Sequence, residues 1–194
     1  MYSTLPEIHL VRHGETAWSV AGRHTGRSDI PLTKMGEAAA GRIADRLGTR
    51  AFAAVWSSPS QRALTTCALA GFAAQSVIKA DLAEWDYGAY EGMTTKEIVA
   101  QRPGWDIFRD GCPSGETAGD VGKRADDIIG QIHAADAAVL IFSSAHFLRV
   151  LAARWLGLPP EHGAHFVLDT ASISRLGYDH NLEEPVIRGW NDHP

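Results

Sequence analysis

The stretch Arg12-His13-Gly14-Glu15-Thr16 sets an arginine beside a histidine directly after a short apolar run at 8–11. A neutral imidazole is a competent nucleophile or base near neutrality, its reference pKa being about 6.5. A neighbouring guanidinium offers a forked donor for an anion. Gly14 lets the backbone come close to a ligand. A surface Arg-His pair is the plain alternative, and spacing alone leaves both readings open. Arg62 is a second candidate. It falls in the first turn of a predicted helix, where free backbone N–H groups favour a bound anion; the alternative is an ordinary solvent-facing arginine. The third candidate is Leu82-Ala83-Glu84-Trp85-Asp86-Tyr87-Gly88-Ala89-Tyr90-Glu91-Gly92, three carboxylates among aromatics. A carboxyl group desolvated by Trp85 and Tyr87 would have a raised pKa and could work as an acid. The alternative is a packed loop whose carboxylates face water.

The elements that must position these groups alternate between strand and helix. Apolar runs at 8–11, 53–56, 76–79 and 138–142 read as strands, with further strands near 172–178 and 185–190. Thr33 can cap a helix over 34–47 that stops at Gly48. Ser58 or Ser60 can cap one running to about Gly71, and Thr94-x-x-Glu97 forms a capping box for a helix ending before Pro103. A helix over 118–134 is weakened by Gly119, Gly122 and Gly130. Another covers 146–156 and stops at Gly157. Alternation of this kind predicts an α/β fold with a mostly parallel sheet in a single domain. In such sheets ligands bind beyond the carboxyl ends of the strands, which points to the loops 12–16, 57–62 and 143–146.

The bulk properties restrict the class. The 194 residues suit one compact domain, 1–194. The net charge of −5 gives no bulk attraction to nucleic acid or an anionic membrane. No apolar run approaches the roughly 20 residues that span a bilayer, and the first 15 residues lack the pattern of a signal peptide. Two separated cysteines, Cys67 and Cys112, fit a reduced, cytoplasmic setting. G-x-S-x-G, H-E-x-x-H, Walker A and G-x-G-x-x-G are all missing. His162-Gly-Ala-His165 lacks an evident third ligand, so no metal site is expected.

Taken together, LVRHGET at 10–16, RHTGRSDIPLT at 23–33, SSPSQRALTT at 57–66 and LAEWDYGAYEG at 82–92 resemble the histidine phosphatase superfamily, also called phosphoglycerate mutase-like. The match runs in order along nearly the whole chain. The resemblance implies a three-layer α/β/α sandwich and a phosphohistidine mechanism. His13 would be the nucleophile, Arg12 and Arg62 the phosphoryl clamp, and Glu84 the acid that protonates the leaving alcohol and then activates water. Thr16, Thr25, Gly26, Tyr87, Ser144 and His146 would contact substrate. No metal or other cofactor is implied, since the arginines supply the positive charge that phosphoryl transfer requires.

AEWDYGAYEG with WDIFRDGCPSGET at 105–117 is similar to the sugar-bisphosphatase branch and to small bacterial acid phosphatases. The expected activity is hydrolysis of a small phosphorylated metabolite, a sugar phosphate or bisphosphate. Phosphoglycerate mutase activity and a non-catalytic phosphate-binding module are the alternatives, and the oligomeric state is open. One departure stands out. The superfamily carries His-Gly five residues before an arginine, after the strand at 138–142. Here that position reads Ser144-Ala145-His146-Phe147-Leu148-Arg149. His146 matches the extra histidine of the sugar-phosphatase branch, and the second pocket histidine is replaced by serine.

Overall fold

A computed structural model describes residues 5–193. The strands β1 (Ile8–Arg12), β2 (Ala54–Ser57), β3 (Ser76–Ile78), β4 (Val139–Ser143), β5 (Ile173–Tyr178) and β6 (Pro185–Asp192) form one sheet. Its order is β3-β2-β4-β1-β5-β6. The first four strands are mutually parallel, and β5 and β6 run antiparallel at one edge. The central strands are apolar on both sides because both faces of the sheet are covered. Alternate residues separate the two layers. Ile8, Leu10, Val139 and Ile141 join one core cluster, while Val11, Leu140 and Phe142 join the other.

The helices divide the same way. α1 (Ala17–Val20) is a single turn in the loop after β1. α2 (Lys34–Gly41), α3 (Ile43–Leu47) and α4 (Gln61–Leu69) cover the Val11/Phe142 face through Ala40, Ile43, Leu47 and Cys67. The other face carries α5 (Thr95–Gln101), α6 (Ile107–Asp110), α7 (Ala118–Ala135) and α8 (Ala145–Trp155). The sandwich therefore has three layers, as expected. The helix predicted over 34–47 is interrupted at Gly41-Arg42, where a weak helix former lies in its middle. α7 runs unbroken despite its glycines. Val121, Ala125, Ile128 and Ile132 recur at helical spacing on its buried face, and their burial outweighs the propensity penalty. Thr33, Thr94 and Thr117 each cap a helix with the side-chain oxygen. Ser60 sits at the N-cap of α4 without capping it; Asp29 Oδ1 accepts the Gln61 N–H instead, at 2.9 Å.

Register places the site. Arg12 pairs with Ser143 and Ser57 with Phe142, so β1, β2 and β4 end nearly level. The ladder then continues one step into the loops, with His13 N–H donating to Ser143 O and Ser58 N–H to Phe142 O.

The opposite end of β1 carries a buried histidine. His9 packs edge-on against Phe52 at 5.1 Å, and neither ring nitrogen has a partner among the described residues. Burial lowers its pKa to about 4, Glu7 opposing and Arg50 and Arg175 assisting. An unfolded histidine titrates near 6.5. Below that pH the unfolded chain takes up a proton that the native chain refuses until about pH 4, so stability falls across this window. His9→Phe keeps the ring contact and removes the titration. Its unfolding midpoint relative to wild type is expected to rise between about pH 7.5 and about pH 5. Calorimetry at the two pH values checks this; an unchanged difference contradicts it.

Candidate active site

His13 follows β1 and is buried. Its Nδ1 lies 2.7 Å from the carbonyl oxygen of Gly14. A carbonyl only accepts, so Nδ1 carries the proton and Nε2 keeps its lone pair. Burial, with the charges of Arg12 and Arg62, holds His13 well below the usual imidazole pKa, the Gly14 carbonyl opposing weakly. The ring is thus neutral and of defined tautomer, with the Nε2 lone pair available for chemistry. The loop that holds it is pressed onto α2. A Cβ on Gly14 would sit 2.6 Å from Gly36 O, and Gly14 N–H donates to Thr66 Oγ1 at 2.9 Å.

Two guanidiniums flank it, that of Arg12 half-buried and that of Arg62 wholly buried. Arg12 donates to Leu168 O at 2.5 Å. Arg62, wholly buried, donates to Ser28 O at 3.0 Å, Thr25 O at 2.9 Å and Gly26 O at 3.2 Å. Those three bonds hold the 25–28 loop in place. Each arginine also has a buried Nε–H with no partner among the described residues. A buried donor left unmatched is costly, and in a cationic pocket its natural partner is an anion.

Glu84 reaches the site from a loop. Its Oε1 accepts the N–H groups of Trp85 at 2.9 Å and Phe147 at 2.8 Å, and Oε2 accepts that of His146 at 3.1 Å. The carboxylate therefore caps α8, where the helix dipole favours negative charge. This explains why Ser144, at the N-cap position, makes no capping bond of its own. Its hydroxyl instead faces Arg62, in a long contact of 3.5 Å. Behind Glu84, Arg124 donates to Asp81 O at 2.7 Å and Ala83 O at 2.8 Å while pairing with Glu116 at 2.8 Å. Gly88, at φ +51°, lets this loop meet the one at 113–115: a Cβ there would lie 2.2 Å from Pro113 O.

His13, Arg12, Glu84, Thr16, Thr25, Tyr87 and His146 line one cavity of about 240 Å³. Arg62 and Ser144 are buried at its base through the contacts above. Gly26 is placed differently. Both oxygens of Glu91 accept its N–H at 3.0 Å, its carbonyl accepts from Arg62, and it lines an adjoining cavity. Tyr87 Oη lies 2.7 Å from His146 Nδ1. Burial, with Arg149, His24 and Arg12, holds His146 well below the usual imidazole value, and burial pushes the Tyr87 phenol up. Both are therefore uncharged. Sequence reasoning missed His24, Ser19, Arg23 and Thr95, which share the cavity, and the buttress Arg124. Arg23 and His24 lie within RHTGRSDIPLT at 23–33; nothing local marks Arg124, whose role depends on a contact across about 40 positions. His162 and His165 sit edge-on to each other at 5.4 Å in a 3₁₀ turn. The one group of potential metal ligands among the described residues is exposed and remote, Asp179, His180 and Glu184.

A neutral imidazole with an Nε2 lone pair lies beside the guanidiniums of Arg12 and Arg62 at the carboxyl ends of parallel strands, an arrangement that can take a small anion. The chain belongs to the histidine phosphatase superfamily (branch 1), whose sequence profile matches residues 8–193. It is 40% identical over 189 residues to an acid phosphatase of Mycobacterium tuberculosis, covering 95% of this chain and 93% of the relative. It is 34% identical over 255 aligned positions to the sedoheptulose 1,7-bisphosphatase of Saccharomyces cerevisiae, covering 96% and 93%. A solved structure from Mycobacterium tuberculosis superposes with a TM-score of 0.90 at 38% identity, covering 97% of this chain and 98% of the other. By class the chain is a phosphatase. Among the described residues no helix is long and apolar enough to cross a membrane.

Proposed function

We propose that this phosphatase hydrolyses a small phosphorylated metabolite, a sugar phosphate, through a phosphohistidine at His13. The observation that carries the reading is the pair of buried, unmatched Nε–H donors on Arg12 and Arg62 around a neutral imidazole. The phosphoryl group enters with its oxygens toward the guanidiniums. His13 Nε2 attacks phosphorus, the ester P–O bond breaks, and Glu84, entering the step protonated on Oε2 beside the phosphoryl dianion, gives that proton to the leaving alcohol. Glu84 then takes a proton from water as that water attacks the N–P bond, releasing inorganic phosphate and restoring the imidazole. The protein contributes positioning and charge, which is most of what phosphoryl transfer needs.

Incubation with 3-phosphoglycerate separates hydrolysis from the mutase alternative. Release of inorganic phosphate supports the reading; formation of 2-phosphoglycerate sinks it.

Ser144 restrains the rate. A serine hydroxyl is shorter than an imidazole and uncharged, and Ala145 adds a methyl to the cavity wall. One missing transition-state donor typically costs about 10²–10³ in turnover. The double substitution Ser144→His/Ala145→Gly is expected to raise kcat on a sugar-phosphate panel by up to about that factor. No gain would mean that the missing histidine does not limit this enzyme.

A further inference from the structure

Beyond the phosphoryl site the cavity changes character. Arg12 and Arg62 together balance a phosphoryl dianion. The other cation at the wall, Arg23, is already engaged: its guanidinium donates to Gly92 O at 2.6 Å and pairs with Glu97 at 3.5 Å at the rim. Arg149 is turned away, stacked on Phe108 at 4.6 Å and donating to Gly163 O and Ala164 O. Glu84 also borders the adjoining cavity of about 390 Å³, together with Asp29, Asp86 and Glu116. The two arginines there are spent on Asp86, at 2.7 Å from Arg27, and on Glu116, at 2.8 Å from Arg124. Among the described residues, a second phosphoryl group would meet no free cation on either side and surplus carboxylate on one.

What the cavity does offer is uncharged and two-sided. His24 packs on Tyr87 at 4.7 Å and edge-on to Trp105 at 5.6 Å. Its Nε2 lies 3.3 Å from Thr95 Oγ1, and His146 Nδ1 is taken by Tyr87. That leaves one nitrogen of each ring without a protein partner among the described residues. Burial keeps both imidazoles below their ordinary pKa, Glu91 opposing at His24. A neutral imidazole has one donor and one acceptor, as a hydroxyl does, whereas a phosphate dianion only accepts.

We infer that the substrate's leaving group is an uncharged, hydroxyl-bearing body seated against His24, Tyr87 and His146, so that the enzyme prefers monophosphates to bisphosphates. The inference rests on the phosphatase reading above. The test compares kcat/KM for fructose 1-phosphate, fructose 1,6-bisphosphate and 4-nitrophenyl phosphate, with release from C1 followed by phosphorus NMR. Wild type is expected to favour the monophosphate over the bisphosphate by about tenfold or more. His24→Phe keeps the ring packing and removes both nitrogens. It is expected to lower the ratio of fructose 1-phosphate to 4-nitrophenyl phosphate by about tenfold, the effect of one lost hydrogen bond. His24→Gln, which retains a donor and an acceptor, is expected to recover most of that ratio. Preference for the bisphosphate, or an unchanged ratio in His24→Phe, overturns the inference. Turnover of the aryl ester with neither sugar ester cleaved overturns it alone. Failure on all three esters overturns the phosphatase reading and takes the inference with it.

Discussion

Replacing His13 by alanine is expected to abolish turnover, lowering kcat by about 10⁴–10⁶-fold, the range seen when a covalent nucleophile is removed. The reason is geometric. The Gly14 carbonyl fixes the Nδ1 proton, so Nε2 is the sole lone pair of the ring available to phosphorus. Burial and the charges of Arg12 and Arg62 keep the ring neutral, and in the proposed reaction the same two arginines would hold the phosphoryl group. Wild type stopped in acid-free conditions during turnover should carry phosphate as a base-stable, acid-labile N–P bond, and His13→Ala should carry none. A variant that still accumulates the phosphoenzyme would move the nucleophile elsewhere. A wild type that binds phosphate esters, forms no phosphoenzyme and releases no phosphate would make the fold a binding module. The low imidazole pKa adds a further expectation. Protonation of His13 should not impose an acid limb on kcat/KM near pH 6.5, as it would for an ordinary histidine.

Arg62→Met should fail in two ways at once. Methionine follows the stem of the arginine but leaves the carbonyls of Thr25, Gly26 and Ser28 without their donor inside the protein. These acceptors are half-buried and water can replace part of the lost donation, so the variant should lose about 1–3 kcal/mol of stability. Loss of one clamp on the phosphoryl oxygens should also lower kcat by about 10²–10³-fold. Urea unfolding gives the first quantity and steady-state kinetics below the unfolding transition the second. Arg62→Lys keeps the charge but cannot hold three carbonyls and an anion from a single ammonium, so it should recover little of either. Near-normal turnover in a destabilised Arg62→Met protein would make Arg62 a strut for the 25–28 loop and remove it from the clamp.

Much of this architecture is legible in the sequence because the signals are local. Val139–Ser143 is a run of buried residues, and its strand character follows from apolar content alone. Thr94 and Glu97 announce a helix start by their spacing, and both hydrogen bonds of that box form. The 12–16, 57–62 and 143–146 loops meet because parallel strands end level, which is a rule of the fold. What could not be read depends on contacts between distant segments. Asp29 caps α4 from 32 positions away, and Arg124 supports the Glu84 loop from 40 or more. The single turn at Ala17–Val20 is too short to leave a periodic signal. Gly26 sits in a motif beside the site, yet Glu91 captures its N–H, and only tertiary structure reveals such competition. Ser144 was visible as an anomaly. That its hydroxyl is freed for Arg62 because Glu84 caps the helix was not.

The attachment of Glu84 has a consequence for how such a chain can change over generations. The carboxylate is gripped by amides of α8, a helix packed on the central sheet, and by the first amide of its own loop. The residues that follow it, from Asp86 to Glu116, close on themselves where Gly88 and Gly115 press against the opposing backbone. The stretch is not self-contained: Glu91 within it holds Gly26, and Asp86 pairs with Arg27. A change that shifts those contacts would disturb the 25–28 loop held by Arg62, whereas the Glu84 carboxylate would keep its anchor on α8. The groups set against the leaving alcohol come from three stretches, around His24, Tyr87 and His146, so substrate preference would not drift through one segment alone.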